Sequence, residues 1–185
     1  MSSATTTPTG FRDEFLWELG IVIKQIGAIA EAIPADKFGW RPDPNARSVS
    51  QVFVHVAAGN FMLLDQIGVA APIDLFNEIP AEGEARLWAM VHKNDEMELT
   101  LVDKEAVVAF LKRSLDLVAE SMGQAGDSEI KRRIRFFGND TTVRRVYLRM
   151  LAHGHEHMGQ MIAYTRAMGL PMPWPDWRPD RRGEA

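Results

Sequence analysis

Four separate stretches of this 185-residue chain carry apolar residues at three- and four-residue intervals, the period of a helix with one buried face. The first runs Phe15, Leu19, Val22, Ile26, Ile29 and Ile33 and is stopped by Pro34. The second runs Val49, Val52, Phe53, Val56, Asn60, Leu63 and Ile67, and Ser48-Val49-Ser50-Gln51 opens it as a capping box. The third runs Val107, Leu111, Leu115, Val118 and Met122, behind Asp103 as cap and ahead of Gly123 and Gly126 as stop. The fourth runs Val143, Val146, Tyr147, Met150, Met158, Met161, Thr165 and Met168, with Asp140 or Thr141 as cap and Gly169 and Pro171 at its end. With no convincing strand pair, four such helices can bury their stripes only against one another. The expected class is all-α, an up-down-type four-helix bundle.

The remaining segments organise around that bundle. Residues 1–10 read as a flexible polar tail, 11–173 as one domain and 174–185 as a second tail, with Trp174 and Trp177 lying over the bundle end. Pro42 and Pro44 mark 36–47 as a connector. Pro72, Pro80 and Gly83 break up 71–102, where a short helix around Glu84 to Lys93 is the expected order and a lid or binding loop the expected role. His92, in this segment, is read as solvated. The basic run from Lys131 to Arg135 and the following Phe136-Phe137-Gly138 read as a solvated, strand-like or irregular entry to the last helix. Trp17, Ile21 and Ala28 form a second face on the first helix, open to either partial loop cover or a subunit contact.

Bulk properties remove whole classes of function. A net charge of −4 gives no reason to expect nucleic acid or an anionic membrane as partner. With no cysteine, disulfides, thiolate metal sites and cysteine nucleophiles are excluded. No apolar run approaches the roughly 18 residues of a spanning helix, and the first ten residues lack the pattern of a signal peptide. A cytoplasmic protein acting on a small molecule is the expectation.

Three of the five histidines fall within 153–157. His153 and His157, four apart, stack on one helical face, an arrangement that offers two imidazoles to one metal. His157 falls inside the inner stripe and His153 at its edge, whereas His155 points to the opposite margin. Burying two imidazoles is costly unless each nitrogen finds a partner, and a shared cation supplies one for both. His55, just off the stripe of the second helix, can complete a three-imidazole set with an open position, the pattern of a catalytic metal site. The bland alternative is a set of structural histidines. Gly59, one turn beyond His55, leaves room either for a ligand or for close packing. Gln160 and Asn60 are the residues expected to orient an imidazole or a substrate, and Glu156, pointing outward, is a weak general base.

Other chemistries lack their motifs. His155-Glu156 does not begin a zincin helix, because position 159 is Gly159. The chain holds no Glu-x-x-His of a di-iron bundle, no Gly-x-Ser-x-Gly elbow and no phosphate-binding glycine loop.

Taken in order, Ile33-Pro34, Trp40-Arg41-Pro42, Arg47-Ser48-Val49, His55, His153-x-x-x-His157-x-Gly159-Gln160 and Tyr164-x-Arg166-x-x-Gly169 resemble the DinB/YfiT-like family of metal-binding four-helix bundles. The resemblance implies a divalent ion, zinc or nickel, held by His55, His153 and His157, and a homodimer. It further implies a metal-dependent enzyme, a transferase or isomerase using a low-molecular-weight thiol. The alternative is a non-catalytic metal-binding stress-response protein acting as a homodimer. No catalytic residue follows from it, and the 71–102 segment, where this chain is most individual, leaves the substrate open.

Overall fold

The computed structural model describes residues 10–76, 79 and 83–175. Helix α1 (Phe11–Ala32) buries Phe15, Leu19, Val22, Ile26 and Ile29, and the chain leaves it at Ile33, ahead of Pro34. After a 3-10 turn at Ala35–Lys37, α2 (Val49–Gln66) starts at a full capping box. The Ser48 hydroxyl accepts from the Gln51 amide, and the Gln51 side chain accepts from the Ser48 amide. A single turn, α3 (Ile73–Phe76), leads to α4 (Gly83–Thr100). Helix α5 (Lys104–Gln124) is capped by Asp103, whose carboxylate accepts from the Ala106 amide. A short α6 (Asp127–Lys131) and the strands β1 (Arg133–Phe136) and β2 (Asn139–Thr142) precede α7 (Val143–Ala167). Gly169, at φ +72°, closes α7 with the Gly169 amide on the Arg166 carbonyl and the Leu170 amide on the Thr165 carbonyl, a Schellman motif.

A four-helix bundle forms, as expected from the sequence, from α1, α2, α5 and α7. Residue pairs give its order. Phe15 meets Tyr147 and Val22 lies against Gly154, so α1 and α7 run in the same direction. The Lys104 ammonium donates to the Glu31 and Ile33 carbonyls at one end of α1, and Arg12 faces Asp127 at the other, so α5 runs against it. Tyr164 reaches back to the Arg47 carbonyl, so α2 also runs against α7. Helices α1 and α2 each pack on both α5 and α7 and stand at opposite corners. Helix α4 returns the chain along the outside of α2. It is pinned at one end by the Arg86–Asp65 pair (2.6 and 2.7 Å) and at the other by Glu98 on His55 (2.8 Å).

Several local expectations change. The helix expected around Glu84 to Lys93 extends over Gly83–Thr100 and contributes Leu87, Met90 and Met97 to the interior. Its polar majority masks this, because only one narrow stripe is buried. The absence of a strand pair is overturned by the β1–β2 hairpin, registered with Arg133 opposite Thr142 and Phe136 opposite Asn139. Phe137 (φ +47°) and Gly138 (φ +76°) make a two-residue turn with positive φ at both positions, the twist that tight hairpins need. Phe at the first of these positions hid the turn from sequence inspection. Asp140 and Thr141 are therefore in a strand, and Thr142 stands at the N-cap of α7 without a side-chain bond. Gly123 is inside α5, which continues to Gln124. Trp17 is open (65% exposed), with Ile21 and Ala28 half-buried beside it. Trp174 packs at the edge of the core. The N-terminal tail up to residue 9, Pro80, Trp177 and the C-terminal tail from 176 lie outside the described residues. No described helix is long and apolar enough to cross a membrane.

The α2 cap sets the position of everything that α2 carries. Ser48→Ala should lower the unfolding free energy by about 1 kcal/mol, read as a shift in the denaturant midpoint with an unchanged slope.

Candidate metal centre

The centre is assembled on α2, with α7 on one side and α4 on the other. On α7, His153, His157, Gln160 and Tyr164 follow one another at i, i+4, i+7 and i+11, a single ridge. On α2, His55 lies two turns from the Ser48 cap, with Gly59 one turn further on the same ridge. His153 Nε2 is 3.1 Å from His55 Nε2 and 3.1 Å from His157 Nε2. The ligand-capable nitrogens of all three rings lie within 4.8 Å of one another. His153 is the deepest (7% exposed), and His55 and His157 are half-buried. The sequence-predicted trio is brought together.

The outer nitrogens fix the tautomers. Glu98 accepts from His55 Nδ1 at 2.8 Å, and a carboxylate oxygen can only accept, so the proton of a neutral His55 is on Nδ1. Gln160 donates through its Nε2 to the Tyr164 hydroxyl (2.9 Å), which turns its Oε1 toward His157 Nδ1 (2.8 Å). His157 therefore also carries its proton on Nδ1. Both rings direct Nε2 lone pairs at His153, whose own Nδ1 is buried with no hydrogen-bond partner among the described residues. With the rings neutral, three convergent Nε2 atoms share at most one proton. A cation at their focus would meet all three lone pairs. Two imidazoles bound at about 2.0–2.1 Å with a tetrahedral angle stand about 3.3 Å apart, close to the spacing here. The donor set fits a divalent ion that accepts imidazole, zinc and nickel among them.

Electrostatics point the same way. Burial pushes His153 down to about 3, helped by the nearby His157, His55, Arg149 and Arg47. Burial also lowers His157, against the Gln160 hydrogen bond that raises it. Both therefore stay neutral and able to coordinate. Burial raises the Glu98 carboxyl, but its bonds to His55 and to Arg47 (2.7 Å) outweigh that and hold it below the usual carboxylate range.

Other expectations resolve individually. Gly59 makes close packing possible rather than ligand space: a Cβ there would stand 2.9 Å from His153 Cε1. Asn60 does not orient the centre, because its amide donates to Ser114 in the interior (3.2 Å). Gln160 does. His155 is no ligand, and instead of lying free on the surface it pairs with Glu18 of α1 at 2.9 Å. Glu156 is held by Arg149 (2.9 and 3.0 Å), which lowers its carboxyl and occupies it as a base. His92 is exposed. Glu98 was missed because Pro72, Pro80 and Gly83 made the whole of 71–102 look irregular and hid a regular helix. The available signal was spacing, since Met90, Asn94 and Glu98 succeed each other at i, i+4 and i+8 on the buried stripe. A cavity of about 840 Å³ around Asp65, Arg86, Trp88 and Phe137 lies toward the far end of α2 and is lined by none of the three histidines.

The family model described as the DinB superfamily matches residues 21–161. Among curated proteins no match is found. Solved structures do match. YfiT from Bacillus subtilis, described as "a probable metal-dependent hydrolase with an unusual four-helix bundle topology", is 14% identical, with 92% of this chain and 95% of that one covered and a TM-score of 0.63. A DinB-like protein from Bacillus cereus is 14% identical over 88% of this chain and 95% of that one, with a TM-score of 0.54. The DinB-like YjoA of Bacillus subtilis is 18% identical over 89% and 96%, with a TM-score of 0.55. At such identities these likenesses carry the fold.

Two outcomes follow. Gly59→Ala should displace the His153 ring and destabilise the protein by about 1–3 kcal/mol, measured by denaturant unfolding. Because His153 stays neutral when folded down to about 3 but titrates at 6.5 when unfolded, the unfolded chain binds the extra proton between those values. Stability is therefore full above 6.5 and falls as pH falls toward 3. In metal-free protein the thermal midpoint should drop with acidification, and less steeply in His153→Leu. Equal slopes in the two proteins would contradict the assignment.

Proposed function

We propose that this chain, which belongs to the DinB superfamily, is a divalent-metal-binding protein and a metal-dependent enzyme acting on a small molecule. His55, His153 and His157 would be its ligands. One observation carries the reading: the Nε2 atoms of His55 and His157 each stand 3.1 Å from that of His153, while the outer nitrogens of His55 and His157 are occupied by hydrogen bonds. Such an ion, zinc or nickel, supplies Lewis acidity, lowering the pKa of a water or thiol brought to it.

The residues around it define what the protein contributes. Three neutral imidazoles leave the charge of the ion uncancelled, which favours an anionic or readily deprotonated ligand at the open side. Glu98 and Glu156 are both committed to arginines, so neither stands free as a base. That favours chemistry in which the nucleophile is activated by coordination. A low-molecular-weight thiol suits this, and thiol-dependent transfer or isomerisation is the finer form of the proposal. YfiT is described as a probable metal-dependent hydrolase, and water in place of thiol at the same centre gives that variant. The non-catalytic reading, metal occupancy coupled to a homodimer, draws on the exposed Trp17 of α1.

Metal analysis of protein prepared without a histidine tag is the test. One divalent ion per chain should be found, and His55→Ala and His153→Ala should each lower retention at least tenfold after dialysis against a weak chelator, by roughly the loss of one of three ligands. Full retention in both variants would sink the ligand assignment. Turnover of thiols with electrophiles, abolished by chelation, would separate the enzyme from the non-catalytic form.

A further inference from the structure

We propose that Arg47 is the positioning residue of the centre, anchoring through its side chain and its backbone carbonyl the two hydrogen-bond arms that turn the Nε2 atoms of His55 and His157 inward. The proposal rests on the metal-binding reading above and adds to it the part of the chain that presets the site.

The first arm runs through α4. Arg47 Nε donates to Glu98 Oε2 at 2.7 Å, and Glu98 Oε1 accepts from His55 Nδ1 at 2.8 Å. The second runs along α7. The Tyr164 hydroxyl donates to the Arg47 carbonyl at 3.2 Å, Gln160 Nε2 donates to the Tyr164 oxygen at 2.9 Å, and Gln160 Oε1 accepts from His157 Nδ1 at 2.8 Å. Two imidazoles on different helices are thus gripped at the same ring position, and both grips end on one residue.

Arg47 suits the task by its place in the chain. It precedes the Ser48 cap of α2, so the capping box fixes its backbone. Tyr164 is itself held edge-on by Trp40 from the same connector (5.4 Å between ring centres). The connector thereby couples α2, α4 and α7 at the level of the centre. Among the described residues His153 has no such arm at its Nδ1. Its ring is located by burial and by the space left at Gly59. The centre is therefore asymmetric: two imidazoles are preset by hydrogen bonds at their outer nitrogens and the third is not. A carboxylate on the outer nitrogen also makes the imidazole a stronger donor, and losing such a partner typically costs 10–100-fold in metal affinity.

The test uses metal-stripped, full-length protein in two measurements. Long-range 1H–15N correlation spectra at about pH 8 read the protonation and tautomer of each ring. Cobalt(II) titration against a competing chelator reads affinity and the ligand-field spectrum. Wild type should show Nδ1–H forms at His55 and His157. Glu98→Ala should release His55 alone and weaken cobalt binding about 10–100-fold, with Glu98→Gln, which keeps an acceptor oxygen, restoring part of both. Arg47→Ala should weaken binding about 3- to 10-fold, the worth of one hydrogen bond, with partial rescue by Arg47→Lys. Tyr164→Phe should disturb His157 and leave His55 unchanged. If Glu98→Ala or Arg47→Ala fails to fold, Glu98→Gln and Tyr164→Phe decide. Wild-type tautomers and wild-type cobalt affinity in the folded variants would overturn the proposal, leaving these residues merely structural. A wild-type protein that binds no cobalt would defeat the metal-binding reading, and the tautomers would still decide the positioning: Nδ1–H on both rings upholds it, mixed forms refute it.

Discussion

Lone pairs that face one another in a low-dielectric interior are the constraint from which this structure is best understood. His153 Nε2 lies 3.1 Å from the Nε2 atoms of both His55 and His157, and those two rings are fixed with their protons on the outer nitrogens, so the three inner nitrogens share at most one proton. Such a cluster opposes folding unless something at its focus offsets the repulsion and desolvation. A core built only for stability would fill that space with Leu or Met. Keeping three imidazoles and a buried carboxylate there makes sense when a cation is the partner of the inner nitrogens.

Much of the remaining fold serves that focus. The capping box at Ser48 sets the start of α2 and so the height of His55. Gly59 lets the His153 ring lie against the backbone of α2, and Gly154, where a Cβ would stand 3.0 Å from Val22, lets α7 approach α1. Helix α4, outside the four-helix core, is tied down by Arg86–Asp65 at one end and by Glu98 at the other. The descent of both α2 and α5 alongside an ascending α1 and α7 requires a return element, and α4 is that element. Its presence over α2 is what brings a carboxylate to His55.

The bundle and the trio were legible in the sequence because both obey helical period. The stripes of α1, α2, α5 and α7 repeat over many turns, and His153 and His157 are one turn apart on a helix whose face was already known. His55 could be matched to them because α2 opens on an unmistakable cap. What stayed hidden depends on tertiary context. Helix α4 is largely polar, so neither its length nor the inward turn of Glu98 stands out. The hairpin escaped because Phe137 occupies a positive-φ position that Asn or Gly usually marks. Asn60 looked like a site residue because it lies on the same helix as His55, but its side chain faces Ser114 on α5. Arg47 could not be read as an anchor at all, since its two partners are 51 and 117 residues away.

X-ray absorption at the metal edge, on protein loaded with one equivalent of zinc, tests the central claim most directly. Three imidazole nitrogens at about 2.0–2.1 Å, plus light-atom scattering from a non-protein ligand, is the result this account predicts. A spectrum with one imidazole or none, or one dominated by carboxylate oxygen, would contradict it.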